Sequence, residues 1–307
     1  MMEHVATEIS TVVSRMRSLS ITNEDYFGSE FLTSTIGMDQ PAPLLESLRI
    51  RITEYGSDYP ANNIFPLPDS FTPSPKLKIL EIPLFRMNFE HLPHLSMATT
   101  LIINANKFYE PLVALDALEY LLESPNVAHL GYKCTDGFEW DPVIYWRLFL
   151  DHKHRSTSLR SVDLTIRGGG LDILLYLDAP FLTSLRIDGW NDKPIRHFQA
   201  KRLSRALKLT AEHSVLVRRL ELLHVTIGDP IEDYQALVSG VRFPALEELV
   251  IESSDISGDA LINADPSVSN LKKLEIKNCE HLTTEDARRF REARSGELCL
   301  IFNGICL

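Results

Sequence analysis

Two stretches of the sequence set histidine near other metal-capable groups, Asp151-His152-Lys153-His154 and His91-x-x-His94. A zinc site draws four ligands from spaced pairs of cysteine, histidine and carboxylate side chains. Neither stretch has a second pair at such spacing, and each has charged or proline neighbours near an expected loop or helix end, so no metal site is expected. Asp136, Glu139 and Asp141 gather carboxylates of the kind that serve acid–base chemistry when their environments push their pKa values apart. Solvated loop acids and a helix N-cap account for them. Gly168-Gly169-Gly170, the only glycine run, lies between a strand-like and a helix-like segment, where a phosphate cradle would sit. No Lys-Ser or Lys-Thr follows it, and a turn from strand to helix explains it. The patterns G-x-x-x-x-G-K-[ST], G-x-S-x-G and H-E-x-x-H do not occur. Cys134, Cys279, Cys299 and Cys306 are too few and too scattered for a disulfide framework, and none forms a C-x-x-C pair. No catalytic residue, metal or cofactor is expected, and the chain reads as something other than an enzyme.

The composition, 44% hydrophobic and 24% charged over 307 residues, is that of a soluble globular protein. The net charge of -11 argues against general binding to a phosphate backbone, which needs a basic footprint. No apolar run approaches the roughly 18 to 20 residues that cross a bilayer, and the first fifteen residues lack a signal-peptide core. A cytoplasmic or nuclear monomer that binds neither membrane nor nucleic acid is the expectation.

What would position any functional group is a repeat. The phrase Leu-x-x-Leu-x-Ile recurs along the chain. Four copies keep a leading proline: Pro43 to Ile50, Pro75 to Ile82, Pro180 to Ile187 and Pro244 to Ile251. Looser copies end at Leu19/Ile21, Leu101/Ile103, Leu130/Tyr132, Val162/Leu164, Leu220/Leu222 and Leu274/Ile276. The second anchors, at positions 19, 48, 80, 101, 130, 162, 185, 220, 249 and 274, recur at a mean of about 28 residues, within the leucine-rich-repeat range. In Leu-x-Leu both side chains point one way, because a strand alternates faces at every residue. Each short strand therefore buries one row of side chains and exposes the other.

Helical spacing fills the gaps. Val5, Ile9, Val12, Val13 and Met16 form one stripe, and Leu112, Leu115, Leu118 and Leu122 form another after Pro111. Asp141-Pro142 opens a helix to about Leu150, and shorter helices are expected near 171–178, 196–213, 232–239, 258–264 and 285–294. Prolines 60, 66, 68, 73 and 75 replace one outer helix by an extended loop. The expected fold is an α/β leucine-rich-repeat solenoid (a horseshoe) with a parallel inner sheet, outer helices and loops, and about ten irregular repeats. It is expected to be a single domain over 1–307, with 1–16 an outer helix leading into the first repeat and 296–307 a strand that caps the array.

Leu271 to Thr283, with Cys279, resembles the cysteine-containing repeat subtype found in F-box proteins, and the preceding copy has Ser254 in the cysteine slot. The irregular Pro-x-Leu-x-x-Leu-x-Ile array is similar to the repeat halves of fungal F-box proteins. That resemblance implies a substrate-recognition receptor for a ubiquitin ligase. Only some sixteen residues precede the first repeat strand, too few for the F-box domain, so ligase components are expected as partners only if an F-box is supplied elsewhere. The alternative is a regulatory repeat protein that binds an enzyme such as a small GTPase. Both hold a globular protein client. The slot itself places Cys279 under the turn after the strand, where a thiol is buried and inert. Cys299 and Cys306 fall in the terminal capping segment.

Two sets of residues are candidates for partner contact. The first is the exposed row beside the anchors, including Arg49, Arg51, Glu81, Lys133, Arg186, Asp188, Arg219, Glu221, Glu248, Glu252, Lys273, Glu275 and Lys277. Its mixed sign suits a protein partner, and it equally suits a solvated surface. The second is Phe138 and Trp140 after one strand and Trp190 after another, with Gly168 to Gly170 between them in the stack. The outer loops would leave the same edge of the sheet about 10 Å apart. They would either form a hollow that anchors a partner, or be packing, with Trp140 on the helix it introduces and Trp190 over the repeat edge.

Overall fold

The structure, a computed structural model, describes residues 2–53, 65–83, 92–105, 124–134, 154–166, 171, 173–189, 197–264, 269–294 and 298–307. They belong to two compact units, Met1–Asp136 and Gly137–Leu307.

In the first unit β1 (Ser18–Asn23), β2 (Ser47–Ile52), β3 (Ile79–Pro83), β4 (Thr100–Ala105) and β5 (His129–Cys134) pair in chain order, all parallel. Their register sets Leu19, Leu48, Leu80, Leu101 and Leu130 side by side. Leu45, Leu77, Ala98 and Val127, three residues before their anchors, form a second buried row. Below each strand one carbonyl accepts from two successive amides of the next repeat: Glu46 and Ser47 donate to Arg17, and Lys78 and Ile79 to Glu46. This repeated rung fixes the register before the strands begin.

The N-terminal helix is shorter than its stripe implied. α1 (Met2–Ser10) gives way to a single 3-10 turn at Val13–Arg15. Ala6 and Val13 are buried, whereas Val5 is 49% exposed. The hydroxyls of Ser10 and Thr11 donate back to the carbonyls of Thr7 and Glu8, competing with the helical ladder where it ends. A helix that the periodicity did not announce, α2 (Tyr26–Gly37), packs against α1. Asp25 caps it by accepting from the Gly28 amide at 2.7 Å, and its buried face is Tyr26, Ser29, Thr33, Ile36 and Gly37. Gly37 is needed there: a Cβ would lie 2.5 Å from the Phe71 ring. The described part of the proline-rich loop holds one 3-10 turn at Leu67–Asp69 and buries Phe65, Leu67 and Phe71. Proline removes helical hydrogen bonds there, and large side chains fill the volume instead.

The described residues of the second unit begin with β6 (His154–Arg155), β7 (Ser161–Ile166), the one-turn α3 (Ile173–Tyr176) and β8 (Leu177–Asp178). The helix expected over 171–178 is thus one turn that runs into a strand, and β8 pairs with β6 in a separate parallel pair. β9 (Ser184–Asp188), α4 (His197–His213), β10 (Arg219–Leu223), α5 (Pro230–Val238), β11 (Glu248–Glu252), α6 (Gly258–Ile262), β12 (Lys273–Lys277), α7 (Thr284–Ala293) and β13 (Cys299–Phe302) then alternate strand and helix. β7 and β9 to β13 are parallel in chain order, and β14 (Ile305–Cys306) closes β13 as an antiparallel hairpin within the terminal segment 296–307. Val162, Leu185, Leu220, Leu249, Leu274 and Leu300 form one buried row, and Leu164, Ile187, Leu222, Ile251, Ile276 and Phe302 form the next.

Helix starts follow the expected chemistry. Asp229 precedes Pro230 and accepts from the Glu232 amide, while Thr283 and Asp286 form a capping box. His224, Ser253 and Asn278, at the same place in successive repeats, take positive φ of 53°, 47° and 53° and turn the chain off the strand. Their amides donate to Glu252, to Lys277 and to the Asn303 side chain. All ten anchors counted in the sequence are buried. The fold is an α/β leucine-rich-repeat solenoid. The expected helices near 112–122 and 141–150 lie outside the described residues.

Candidate functional site

Alternation along each strand that buries the leucines sends the intervening side chains to the opposite, open face of the sheet. In the first unit that face brings together Arg49, Arg51 and Lys133 from the candidate row. At their centre is a side chain the sequence placed on an exposed row: Glu81 is only 1% exposed. Its cover is its own partners. Arg51 donates through Nε and Nη2 to both carboxylate oxygens at 2.7 Å, Arg49 approaches at 3.9 Å, and Asn104 donates at 3.2 Å. Desolvation alone would raise the Glu81 carboxyl. The hydrogen bonds from Arg51 and Asn104, with the charges of Arg51 and Lys133, outweigh it and hold the group below the usual carboxylate range. The row therefore predicted the direction of Glu81 correctly and its solvation wrongly, because bidentate guanidinium forks close over a carboxylate.

Removing Arg51 should uncover this dependence. Breaking a fully buried pair by deleting one partner costs about 3–5 kcal/mol. Arg51 is 41% exposed, and Arg49 and Asn104 remain in Arg51→Ala. Screening brings the expected loss down to about 2 kcal/mol at neutral pH. Urea midpoints check this, and Glu81→Gln added to Arg51→Ala should recover about half of the loss, since it removes the stranded charge. Equal stability of Arg51→Ala and wild type would show that the fork contributes nothing.

In the second unit the open face carries a chain of ion pairs. Arg186 contacts Asp163 at 2.8 Å, Asp188 at 2.7 Å and Glu221 at 3.6 Å. Arg219 contacts Glu221 at 2.7 Å and Glu248 at 3.1 Å. His224 Nδ1 lies 3.0 Å from Asp188, and Lys273 and Lys277 both grip Glu275. Arg186, Asp188, Arg219 and Glu221 thus meet on the open face of the second unit. Exposed pairs of this kind contribute about 0–1 kcal/mol each, so their main effect is to hold the side chains in fixed positions. Asp163, Asn104 and His224 were missed. The first two sit at strand positions beside anchors that alternation identifies, and His224 follows β10 in a left-handed turn that no spacing rule reveals.

The remaining candidates do not assemble a site. His94 is 1% exposed, the surroundings of a core residue. His91, Asp151, His152 and Lys153 lie outside the described residues, as do Asp136, Glu139, Asp141 and Gly168 to Gly170. Among the described residues no group of three or more histidine, cysteine and acidic side chains is placed to hold a metal ion. Phe138, Trp140 and Trp190 also lie outside the described residues. Cys279 is buried, its Sγ donates to the Lys277 carbonyl at 3.3 Å, and burial raises its thiol pKa. Cys299 and Cys306 are exposed on the terminal hairpin. No helix among the described residues is long and apolar enough to cross a membrane.

No family model matches the chain. No curated protein matches it either. Several solved structures are similar to it. A structural-genomics protein from Bacteroides fragilis aligns at 14% identity over 85% of this chain and 66% of its own length, with a TM-score of 0.44. TLR13, solved as a complex with ssRNA13, aligns at 13% identity over 85% of this chain, with a TM-score of 0.40. This chain spans only 39% of TLR13. An internalin from Listeria monocytogenes aligns at 16% identity over 98% of this chain and 86% of its own, with a TM-score of 0.34. At these scores the functions of those proteins say nothing of this one.

Proposed function

We propose that this chain is a non-catalytic protein-binding module, one repeat domain over 1–307 acting as a monomer, which holds a globular partner on the open face of its sheet. The observation that carries the reading is the interlocked network of Arg186, Asp188, Arg219 and Glu221 with its neighbouring acids. It presents both signs of charge at fixed spacing on strands that a packed core holds rigid. Side chains already ordered lose less entropy on binding, and mixed charge selects a complementary protein surface.

The finer reading is the repeat part of a substrate-recognition receptor of F-box type, in the cytoplasm or nucleus, with ubiquitin-ligase components as partners wherever an F-box joins it. Its support is the cysteine slot. Cys279 Sγ donates to the carbonyl two residues back, and Ser254 Oγ does the same to Glu252 at 2.9 Å, so the two copies are equivalent in geometry as well as spacing.

The test is capture by the immobilised full chain, followed by mass spectrometry, with variants of the open face as controls. Reversing Arg186 is a poor choice, since it would set a further carboxylate among Asp163, Asp188 and Glu221. Arg186→Gln with Arg219→Gln, and separately Arg49→Gln with Lys133→Gln, should abolish retention of a stoichiometric partner. The melting temperature should move by no more than about 4 °C. Ubiquitin-ligase clients among the retained proteins support the receptor reading, and a single regulated enzyme replaces it. Retention unchanged in both pairs of variants shows that the open face is not the binding surface.

A further inference from the structure

Within a chain of net charge -11, strands β1 to β5 hold one carboxylate, Glu81, against Arg49, Arg51 and Lys133. Strands β7 and β9 to β13 of the second unit hold six carboxylates against four basic residues. On the first unit's open face the single acid is already consumed. Arg51 and Asn104 occupy its oxygens, and both arginines stay more than a third exposed. A guanidinium has five N–H donors, and Glu81 takes two from Arg51, so donors remain for a ligand. The buried acid therefore acts as a brace that aims cations outward without cancelling them.

Between these cations the face carries the bonded pair Glu81 and Asn104 together with the apolar Pro83 and Ile102. Ile79 and Ile102 are half-buried on β3 and β4, and Gly131 on β5 leaves the backbone bare beside Ile102, where a Cβ would lie 3.3 Å from the isoleucine side chain. We propose that the open face of the unit Met1–Asp136 is a seat for an acidic, otherwise apolar segment of a partner protein, lying extended across β2 to β5. This deepens the protein-binding reading and rests on it. Three strand spacings separate the β2 arginines from Lys133, about 14 Å. An extended chain covers that span in roughly four residues. Two acidic residues at i and i+4 would point to the same side and reach both cation groups, with an apolar side chain between them over Ile102 and Gly131. The five strands place no Phe, Tyr or Trp on this face, since Tyr132 is buried on the other, and His129 is the one ring there that a base could stack on. A peptide fits better than RNA.

The probe is a fluorescein-labelled peptide with the core Glu-Val-Leu-Val-Glu, titrated with the full chain and read by fluorescence anisotropy. Three controls are the same peptide with both glutamates changed to glutamine, a version with Gly-Ser-Gly between the glutamates, and a single-stranded oligoribonucleotide. Charge-assisted hydrogen bonds lead to an expected loss of roughly tenfold in affinity for Lys133→Gln or for Arg49→Gln. Glutamine in the peptide should weaken binding similarly, with little further loss when Lys133→Gln is combined with it. Lys208→Gln, on α4 of the other unit, should leave the affinity unchanged. If the peptide fails to bind while Arg49→Gln with Lys133→Gln still releases a captured protein, the face binds but its partner is not acidic. If capture persists as well, the protein-binding reading of this face falls too. Equal affinity for the glutamine peptide, or tighter binding of the oligoribonucleotide with the same sensitivity to Lys133→Gln, overturns the proposal.

Discussion

Leu249→Ala is expected to destabilise the folded chain by about 2 to 5 kcal/mol, read as a lower urea midpoint with an unchanged denaturant slope. Leu249 is fully buried on β11, in register with Leu220 on one side and Leu274 on the other. Truncation removes its transfer energy and also leaves a cavity. Relaxation into that cavity is limited, because neighbouring strands are pinned by paired amides: Glu247 and Glu248 donate to Arg218, and Lys272 and Lys273 to Glu247. Leu216→Ala is the natural control. Leu216 is apolar too, but is 40% exposed at a turn before β10 and should cost no more than about 0.5 kcal/mol. If the two variants lose the same amount, the row of anchors is not what holds the repeats together.

That contrast also explains which parts of the fold were legible. A strand repeats its side-chain direction every two residues, so Leu-x-Leu declares its buried face without reference to anything distant, and all ten anchors were read correctly. α2 was invisible for the opposite reason. Its buried face is made of Ser29, Thr33 and Gly37 beside Tyr26 and Ile36, small residues chosen to fit Phe71 and the first strands, and such a face has no leucine period. α1 was overread because the stripe Val5 to Met16 ignores the local hydroxyls that loosen its end.

On the open face the alternation gave the direction of Arg49, Arg51, Lys133, Arg186, Asp188, Arg219 and Glu221. Pairing across strands decides which of them meet, and the intervals between anchors do not encode it. Glu81 shows the gap most plainly. Its position was legible, but its burial depends on Arg49 and Arg51, some thirty residues earlier, closing over it from the neighbouring strand.

His94 turns a sequence-level question about metal binding into one about acid stability. It sits in the short 3-10 turn Pro93–Ser96 that leads into β4, between the buried Leu92 and Leu95. Burial disfavours the charged ring and lowers its pKa to about 4 from the ordinary 6.5, with the nearby Ser70 backbone offsetting this in small part. The folded chain thus keeps His94 neutral where the unfolded chain takes up a proton. Stability from this group is fully present above about pH 6.5, declines as the pH falls from 6.5 toward 4, and is flat below that. Between about pH 7.5 and pH 4.5 the expected loss is about 2 to 3 kcal/mol. Carboxylates titrate near the lower end of this window, so the wild-type change alone is not diagnostic. His94→Leu isolates the histidine, because it keeps the site filled and removes the titration. The variant should match or exceed wild type at neutral pH, and the difference should widen in its favour by about 2 to 3 kcal/mol at pH 4.5. Parallel urea curves for the two proteins at both pH values would show a histidine that titrates normally, and hence one that is not held neutral in the core.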